Sequence, residues 1–426
     1  MLVRNDMVYG PSSFVRSRRL KILIVWRDLP SLRTPSLARP HCLVTRNRSH
    51  EITLACFLEN PQTDERDLYR HCDRVELVRA PQTKGVVMKG LRSLASKVNY
   101  QNIFSKDFAI PGIYVPEMRK KLVDLLKSGT FDIIYADSAM LPYVYNLHPR
   151  APTVLEFCSA WLHMLRQAYL NEQSVFAKAY YLTQYCSFRL FEFPRYAKFD
   201  AGIYVSELHR IFARQFMPRK SFVIPPPIDL EYFNPIGDAM EPMDIVFTGQ
   251  MNYFINIHSM LYFCGEVLPL IRKQAPRIGL HIVGRSAPER ITRLASSSVV
   301  VTGEVPDIRP YFRAARIVVA PITLDDGGIK TKVLEAMAMG KAVVSTPIGV
   351  QGTGATHGEN IVIAGNSRTL AAWVVRLLQD PALREQIGTR AREFVKENYS
   401  HEKMTNRLNE VFEQIAGSKQ PCGSHG

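Results

Sequence analysis

Twice along this chain, apolar runs of five to seven residues alternate with segments of helical spacing, and that rhythm admits few folds. The first series runs KILIVW (21–26), EITLACF (51–57), VELVRA (75–80), FDIIYAD (131–137), PTVLEF (152–157) and AGIYVS (201–206). Helices are expected between them over 36–48, 64–72, 118–126 and an aromatic-rich stretch at about 160–193. FVIPPPID (222–229) reads as a strand entering a stiff proline linker. The second series runs DIVFTG (244–249), LHIVG (280–284), VVVTG (299–303), RIVVAPI (316–322), AVVST (342–346) and NIVIAG (360–365). Its expected helices cover 256–273, 288–296, 307–315, 367–379, 381–397 and 401–416. Strands apolar on both faces belong in parallel sheets covered by helices, so the expected class is α/β with two doubly wound parallel sheets.

A chain of 426 residues suits two such domains rather than one core. The expected division is a basic tail at 1–20, a first Rossmann-like domain at 21–224, a linker at 225–240 and a second domain at 241–399. A helix at 400–417, packing back on the first domain, and a tail at 418–426 complete it. Both tails are expected to be disordered.

Charge is unevenly placed. Residues 1–200 carry 29 Lys and Arg against 18 Asp and Glu, a balance of +11 of the total +15. That asymmetry favours an anionic partner such as a membrane surface. Nucleic acid is not the expected partner, because basic residues are not interleaved with aromatics. Seven cysteines without CxxC pairing read as reduced thiols of a cytoplasmic protein, and the scattered histidines offer no metal spacing. No run of 18 apolar residues and no signal-peptide pattern is present, so neither a transmembrane helix nor secretion is expected.

The chemistry concentrates in Asp325–Gly340, DDGGIKTKVLEAMAMG, a glycine turn opening into a helix at a strand's carboxyl end. Gly327 and Gly328 permit positive φ and close backbone approach. The helix start offers unpaired N–H groups to a diphosphate, and Lys330 and Lys332 add charge. Glu335, leaning toward the helix N-terminus, is placed to accept from ribose hydroxyls. The alternative is a plain surface helix with Asp326 as N-cap and a solvated Lys332–Glu335 pair.

GIKTKVLEAMAMGKAVVSTPIG resembles the donor-site signature of retaining, GT-B-fold, family-4 glycosyltransferases. More narrowly, it resembles sugar transferases associated with bacterial exopolysaccharide and PEP-CTERM systems. FDIIYADSAM, VFTGQMNYFINIHSM, LHIVGRSAP and VTGEVPDIRPYFRAARIVVAPI agree in order from Lys21 to about Ser400. The resemblance implies a GT-B pair of domains facing across a cleft, with a nucleoside-diphosphate sugar as co-substrate and no metal or other cofactor. Glu335 matches the second acid of the E-x7-E signature. Gly328, Ile329 and Lys332 would line the diphosphate, Gly303 and Val305 would hold the nucleobase, and Arg285 and Gly249 would approach the phosphates. The first acid falls on Gly327, leaving Asp325 or Asp326 for the donor sugar. Where relatives carry a basic pair after Gly249, this chain has Gln250 and Asn252. Asp137, Glu156 and His163 are the candidates on the acceptor side.

The expectation is therefore a retaining glycosyltransferase of polysaccharide or glycoconjugate biosynthesis. Its acceptor would be a glycan or polyprenyl-linked lipid, and its place the cytoplasm, peripheral to the inner membrane face. The competing readings are a GT-B scaffold without catalysis and a nucleotide-sugar epimerase.

Overall fold

The computed structural model describes residues 19–28, 49–58, 71–79, 115–147, 149–157, 161–172, 174–213, 218, 220–238 and 240–417. The expected C-terminal tail, residues 1–18 of the N-terminal one, the helix at 36–48 and all but the end of the one at 64–72 lie outside the described residues.

The first sheet contains β1 (Lys21–Asp28), β2 (Glu51–Leu58) and β3 (Arg74–Arg79). Helix α1 (Pro116–Ser128) leads to β4 (Ile133–Asp137) and β5 (Thr153–Phe157). Then come α2 (Trp161–Asn171), α3 (Val175–Ser187), β6 (Ala201–Tyr204), α4 (Glu207–Ala213) and β7 (Lys220–Val223). Strand order is β3-β2-β1-β4-β5-β6-β7, with every pairing parallel. The alternation of side chains across the pleat divides β1 cleanly. Leu23 and Val25 pack on the α1–α2–α3 side, whereas Ile22, Ile24 and Trp26 pack on the opposite side.

The second sheet begins with β8 (Met243–Thr248), followed by α5 (Phe254–Arg272), β9 (Leu280–Val283) and β10 (Val299–Gly303). Helix α6 (Arg309–Ala314), β11 (Ala315–Ala320), α7 (Thr331–Ala338), β12 (Val343–Ser345) and β13 (Val362–Ile363) follow. Its order is β10-β9-β8-β11-β12-β13, again all parallel. Helices α8 (Ser367–Gln379) and α9 (Pro381–Tyr399) cover it.

Helix α10 (His401–Gly417) belongs to the other half of the molecule: Met404, Leu408, Val411, Phe412 and Ile415 are buried against β1, β2, β4, β5 and β6. The chain thus passes between the sheets twice, and the two crossings touch where Ile228 N donates to Tyr399 O at 2.8 Å.

Two local expectations change. Helix α4 is absent from the strand-and-linker reading of 201–229, although Ser206 caps it by accepting from His209 N at 3.0 Å. The helix expected over 288–296 is a single turn, Glu289–Thr292. Among the described residues helix α5 alone is long and apolar enough by composition to cross a membrane, at a mean hydropathy of 1.4, although it holds no unbroken apolar run of 18 residues. Half of that window is buried, and Ile257, Met260, Phe263 and Val267 fill the core of the second sheet.

Candidate active site

In open parallel sheets, ligands bind outside the carboxyl ends of strands where the strand order reverses. The second sheet reverses between β8 and β11, so the loops Gly249–Tyr253 and Pro321–Lys330 form that crevice. The first sheet reverses between β1 and β4, and Asp137 is the last residue of β4.

The Asp325–Lys330 loop is folded by its own carboxylates. Asp325 Oδ1 accepts from Gly327 N at 2.7 Å and Asp326 Oδ1 accepts from Gly328 N at 3.0 Å, two consecutive Asx turns. Gly327, between the two turns, takes φ +74°, a left-handed conformation open to glycine. Helix α7 starts later than the sequence suggests: Lys330 occupies the N-cap position without any side-chain cap, and the helix begins at Thr331. Asp326 is therefore not a cap. It accepts from the Tyr253 hydroxyl at 2.8 Å and pairs with Lys330, whose ammonium also donates to Gly328 O at 2.8 Å. Burial and the adjoining Asp326 raise the Tyr253 hydroxyl well above its ordinary pKa, so it remains the donor in that bond.

Lys332 is the cation that faces the crevice. Its ammonium donates to Asn256 Oδ1 and lies 4.4 Å from the centre of the Phe247 ring. Asn256 is oriented in turn by donating to Gln250 O at 2.8 Å. A methyl group at Gly249 would stand 2.6 Å from the Lys332 ammonium, and one at Gly284 would overlap the Gly249 carbonyl. Glycine at both strand ends is what lets the β8 loop, the β9 loop and Lys332 meet. The solvated-pair alternative is excluded, since Lys332 is packed on Phe247 and Asn256 rather than extended into water. Burial pushes the Lys332 ammonium down to about 7 despite the nearby Glu335 carboxylate. Burial likewise pushes Glu335 up to about 7 against the pull of Lys332 and a Thr331 hydrogen bond. In the free protein this pair stands where a small change of environment decides its charge.

The other residues expected on the donor side lie at neighbouring strand ends and loops. Gly303, at φ +71°, ends β10, and its carbonyl accepts from Gly284 N at 3.2 Å. Val305 and Ile329 pack partly buried on the second core. Arg285 is exposed, and its guanidinium makes no hydrogen bond or ion pair among the described residues. Its neighbour Ser286 is held at φ +60°, a strained conformation for a residue with a side chain. Beyond Glu335, the Tyr232 ring is covered by Arg309 at 4.1 Å, and Arg309 is paired with Asp307.

Two contacts join the halves at this crevice. Ser206, after β6, donates to Gly327 O at 3.0 Å. His163 in α2 stacks on Phe212 of α4 at 4.0 Å and presents Nε2 3.6 Å from Asp325 Oδ2. Burial raises the Asp325 carboxyl, but His163, the Gly327 N–H and Lys330 outweigh it and hold the group below its ordinary range. The structure therefore brings His163 together with Asp325. Asp137 caps the turn at Ser138–Met140 by accepting from Ala139 N at 3.1 Å, and burial raises its carboxyl. Glu156 is 2% exposed one residue before the carboxyl end of β5, where it is the register partner of Asp137.

Sequence reasoning missed Asn256, Tyr253, Phe247 and Ser206. Their partners are 73 to 121 residues distant for Tyr253, Asn256 and Ser206, so only the fold connects them. Among the described residues no group of three or more His, Cys, Asp or Glu is arranged to hold a metal ion.

Residues 242–380 match the family model described as Glycosyl transferases group 1. An uncharacterized 44.6 kDa protein of the cps region of Klebsiella pneumoniae is 24% identical over 306 residues, 68% of this chain and 76% of its own. The lipopolysaccharide core biosynthesis mannosyltransferase LpcC of Rhizobium leguminosarum bv. viciae is 29% identical over 127 residues, 29% of this chain and 36% of its own. Among solved structures, sucrose-phosphate synthase from Thermosynechococcus elongatus superposes with a TM-score of 0.62 at 17% identity, covering 94% of this chain and all of its own. Anabaena HepE in complex with UDP-glucose superposes at 0.60 with 16% identity, covering 92% and 99%. The fold is GT-B. With the family match over the second sheet, these findings indicate a glycosyltransferase.

Proposed function

We propose that this chain transfers a sugar from a nucleoside diphosphate to a glycan or lipid-linked acceptor, with retention at the anomeric carbon. The observation that carries the reading is Lys332 and Glu335 on the uncapped first turns of α7, beside the β8/β11 reversal point. The diphosphate takes the α7 N–H groups, the Gly328–Ile329 backbone and the Lys332 ammonium, whose positive charge it stabilises. Charge developing on the leaving phosphate meets these fixed donors, the arrangement that lowers a barrier without reorganisation. Glu335 accepts from the ribose hydroxyls. The Gly303–Val305 backbone takes the base edge, and Arg285 is the cation free to swing onto phosphate. HepE, solved with UDP-glucose, supports a nucleotide sugar as the donor class.

Asp326 is occupied by Tyr253 and Lys330, so Asp325 is the carboxylate assigned to the donor sugar, with His163 reaching the same place from the first domain. The acceptor hydroxyl attacks from the face the phosphate leaves, and its proton passes toward that phosphate. Lys332 and the α7 N–H groups carry the charge stabilisation, with no metal assigned a part. The reading places the enzyme in polysaccharide or glycoconjugate synthesis at the cytoplasmic membrane face.

Donor turnover tests it. The released diphosphate is followed by phosphorus NMR and the anomeric configuration of the product by proton NMR, over a panel of nucleotide sugars and with EDTA present. One donor should turn over with its configuration kept, and Glu335→Ala should lose at least about tenfold in kcat/KM. An inverted product, or activity abolished by EDTA and restored by a divalent cation, would contradict the mechanism.

A further inference from the structure

The apolar surface outside the cleft is gathered in one place. Of the eleven large apolar side chains exposed among the described residues, six lie within 170–190. They are Leu170, Val175, Phe176, Tyr180, Leu182 and Leu190, and Val175 and Phe176 are each 77% exposed. The other five are scattered along the chain.

At roughly 100° per residue, Val175, Ala179, Leu182, Cys186 and Leu190 share one side of α3 and its continuation, with Phe176 at the edge. All six are exposed. Between Ser174 and Leu190 the only charged residues are Lys178 and Arg189, and both fall along the same flank of that apolar side. On the adjacent α2, Arg166 is exposed one turn before Leu170. Glu172, in the turn before α3, has its carboxylate engaged by Ser174 N at 2.8 Å. An exposed apolar helix face whose own charged residues are cations is the composition that lies in a bilayer interface and favours anionic headgroups.

We propose that the α2–α3 hairpin is a membrane-docking surface, with Val175, Phe176, Leu182 and Leu190 entering the headgroup–acyl boundary of an anionic phospholipid bilayer and Arg166, Lys178 and Arg189 pairing with its phosphates. Charge complementarity commits the occupant: a second copy of this chain would bring the same cations against themselves. The surface also adjoins the cleft. Helix α2 carries His163, 3.6 Å from Asp325, in its first turn and Leu170 at its far end, seven residues or about 10 Å away. Resting on the glycosyl-transfer reading, this places an acceptor held in the bilayer beside the donor sugar, so the acceptor class is a lipid-anchored hydroxyl compound rather than a free sugar.

Flotation of the full chain with vesicles tests the surface, comparing phosphatidylcholine alone with equimolar phosphatidylcholine and phosphatidylglycerol. The wild type is expected to float with the anionic vesicles and not with the neutral ones. Phe176→Asp with Leu190→Asp, and separately Lys178→Glu with Arg189→Glu, should each lower the bound fraction at least about tenfold. Both variants should keep the wild-type melting temperature and its response to nucleotide. The proposal is overturned if the wild type ignores anionic vesicles, or if both variants float as it does, which would move attachment to another part of the chain. It is also overturned if the wild type is a dimer that Phe176→Asp dissociates, since the face would then be a self-interface. Failure of the glycosyl-transfer reading looks different: flotation would persist while no nucleotide altered the melting temperature.

Discussion

At the scale of residues, the proposed donor site rests on a charged pair that the free protein holds poorly. Burial brings Lys332 down and Glu335 up to about 7 in each case, so neither charge is secure until a ligand supplies its counterpart. A diphosphate raises the Lys332 pKa on binding, which takes up a proton above pH ~7 and weakens affinity as pH rises further. Glu335 must ionise to accept from hydroxyls, which releases a proton below pH ~7 and weakens affinity as pH falls. Nucleotide-sugar affinity, measured by calorimetry in buffers of different ionisation heat, should therefore peak near neutrality and change the sign of proton exchange there. A flat profile from about pH 5.5 to 8.5 would show that this pair does not meet the ligand. The placement of both residues on the first turns of one helix was legible in the sequence, because a glycine turn and a helix start are local. Asn256, which orients Lys332, was not legible, because the two are 76 residues apart. The roles of Asp325 and Asp326 were likewise left open by the sequence, since choosing between them needs Tyr253 and His163 in place.

At the scale of elements, strands and long helices were legible and short helices were not. β1, β2, β8 and β10 announce themselves as bounded apolar runs, and α8 as an amphipathic stretch with its Asn366 capping box. α4 has only seven residues, too few for periodicity to register beside the β6 strand. The linker is held by side chains that sequence pattern does not reveal. Arg313 donates to Asn234 O and Asp238 O, Arg309 lies on Tyr232, and Arg392 of α9 donates to both Phe233 O and Ala338 O. Arg392 thereby ties the linker to the C-terminal end of α7, the helix bearing Lys332. Arg392→Ala leaves two carbonyls without their charged donor and should cost about 2–3 kcal/mol in denaturant unfolding. An unfolding midpoint equal to wild type would show that the remaining arginines hold the linker without it.

At the scale of the whole molecule, the two sheets are interlocked by a helix exchanged along the chain. α10 follows the second sheet in sequence but completes the first core with Met404, Leu408, Val411, Phe412 and Ile415, each contributing about 2 kcal/mol by burial. Ending the chain at Ser400 exposes that face of the first sheet, and the loss is comparable to the stability of a whole domain. Such a chain should lose the first domain to limited proteolysis while the second remains resistant. Equal resistance of both halves would mean that α10 adds little to the first core. Where the halves meet at the crevice, Ser206 holds the Gly327 carbonyl and His163 faces Asp325, so the Asp325–Lys330 loop is shaped from both sides.

Calorimetric titration reads out whether the α7 turn holds a nucleoside diphosphate through Lys332 and Glu335. UDP, GDP, ADP and their sugars would be titrated into the wild type, Lys332→Ala and Glu335→Ala. One nucleotide series should bind the wild type, with affinity lowered at least about tenfold in each variant, a loss of ~1.4 kcal/mol or more. Binding of no nucleotide to the wild type, or equal binding by all three proteins, would contradict that reading.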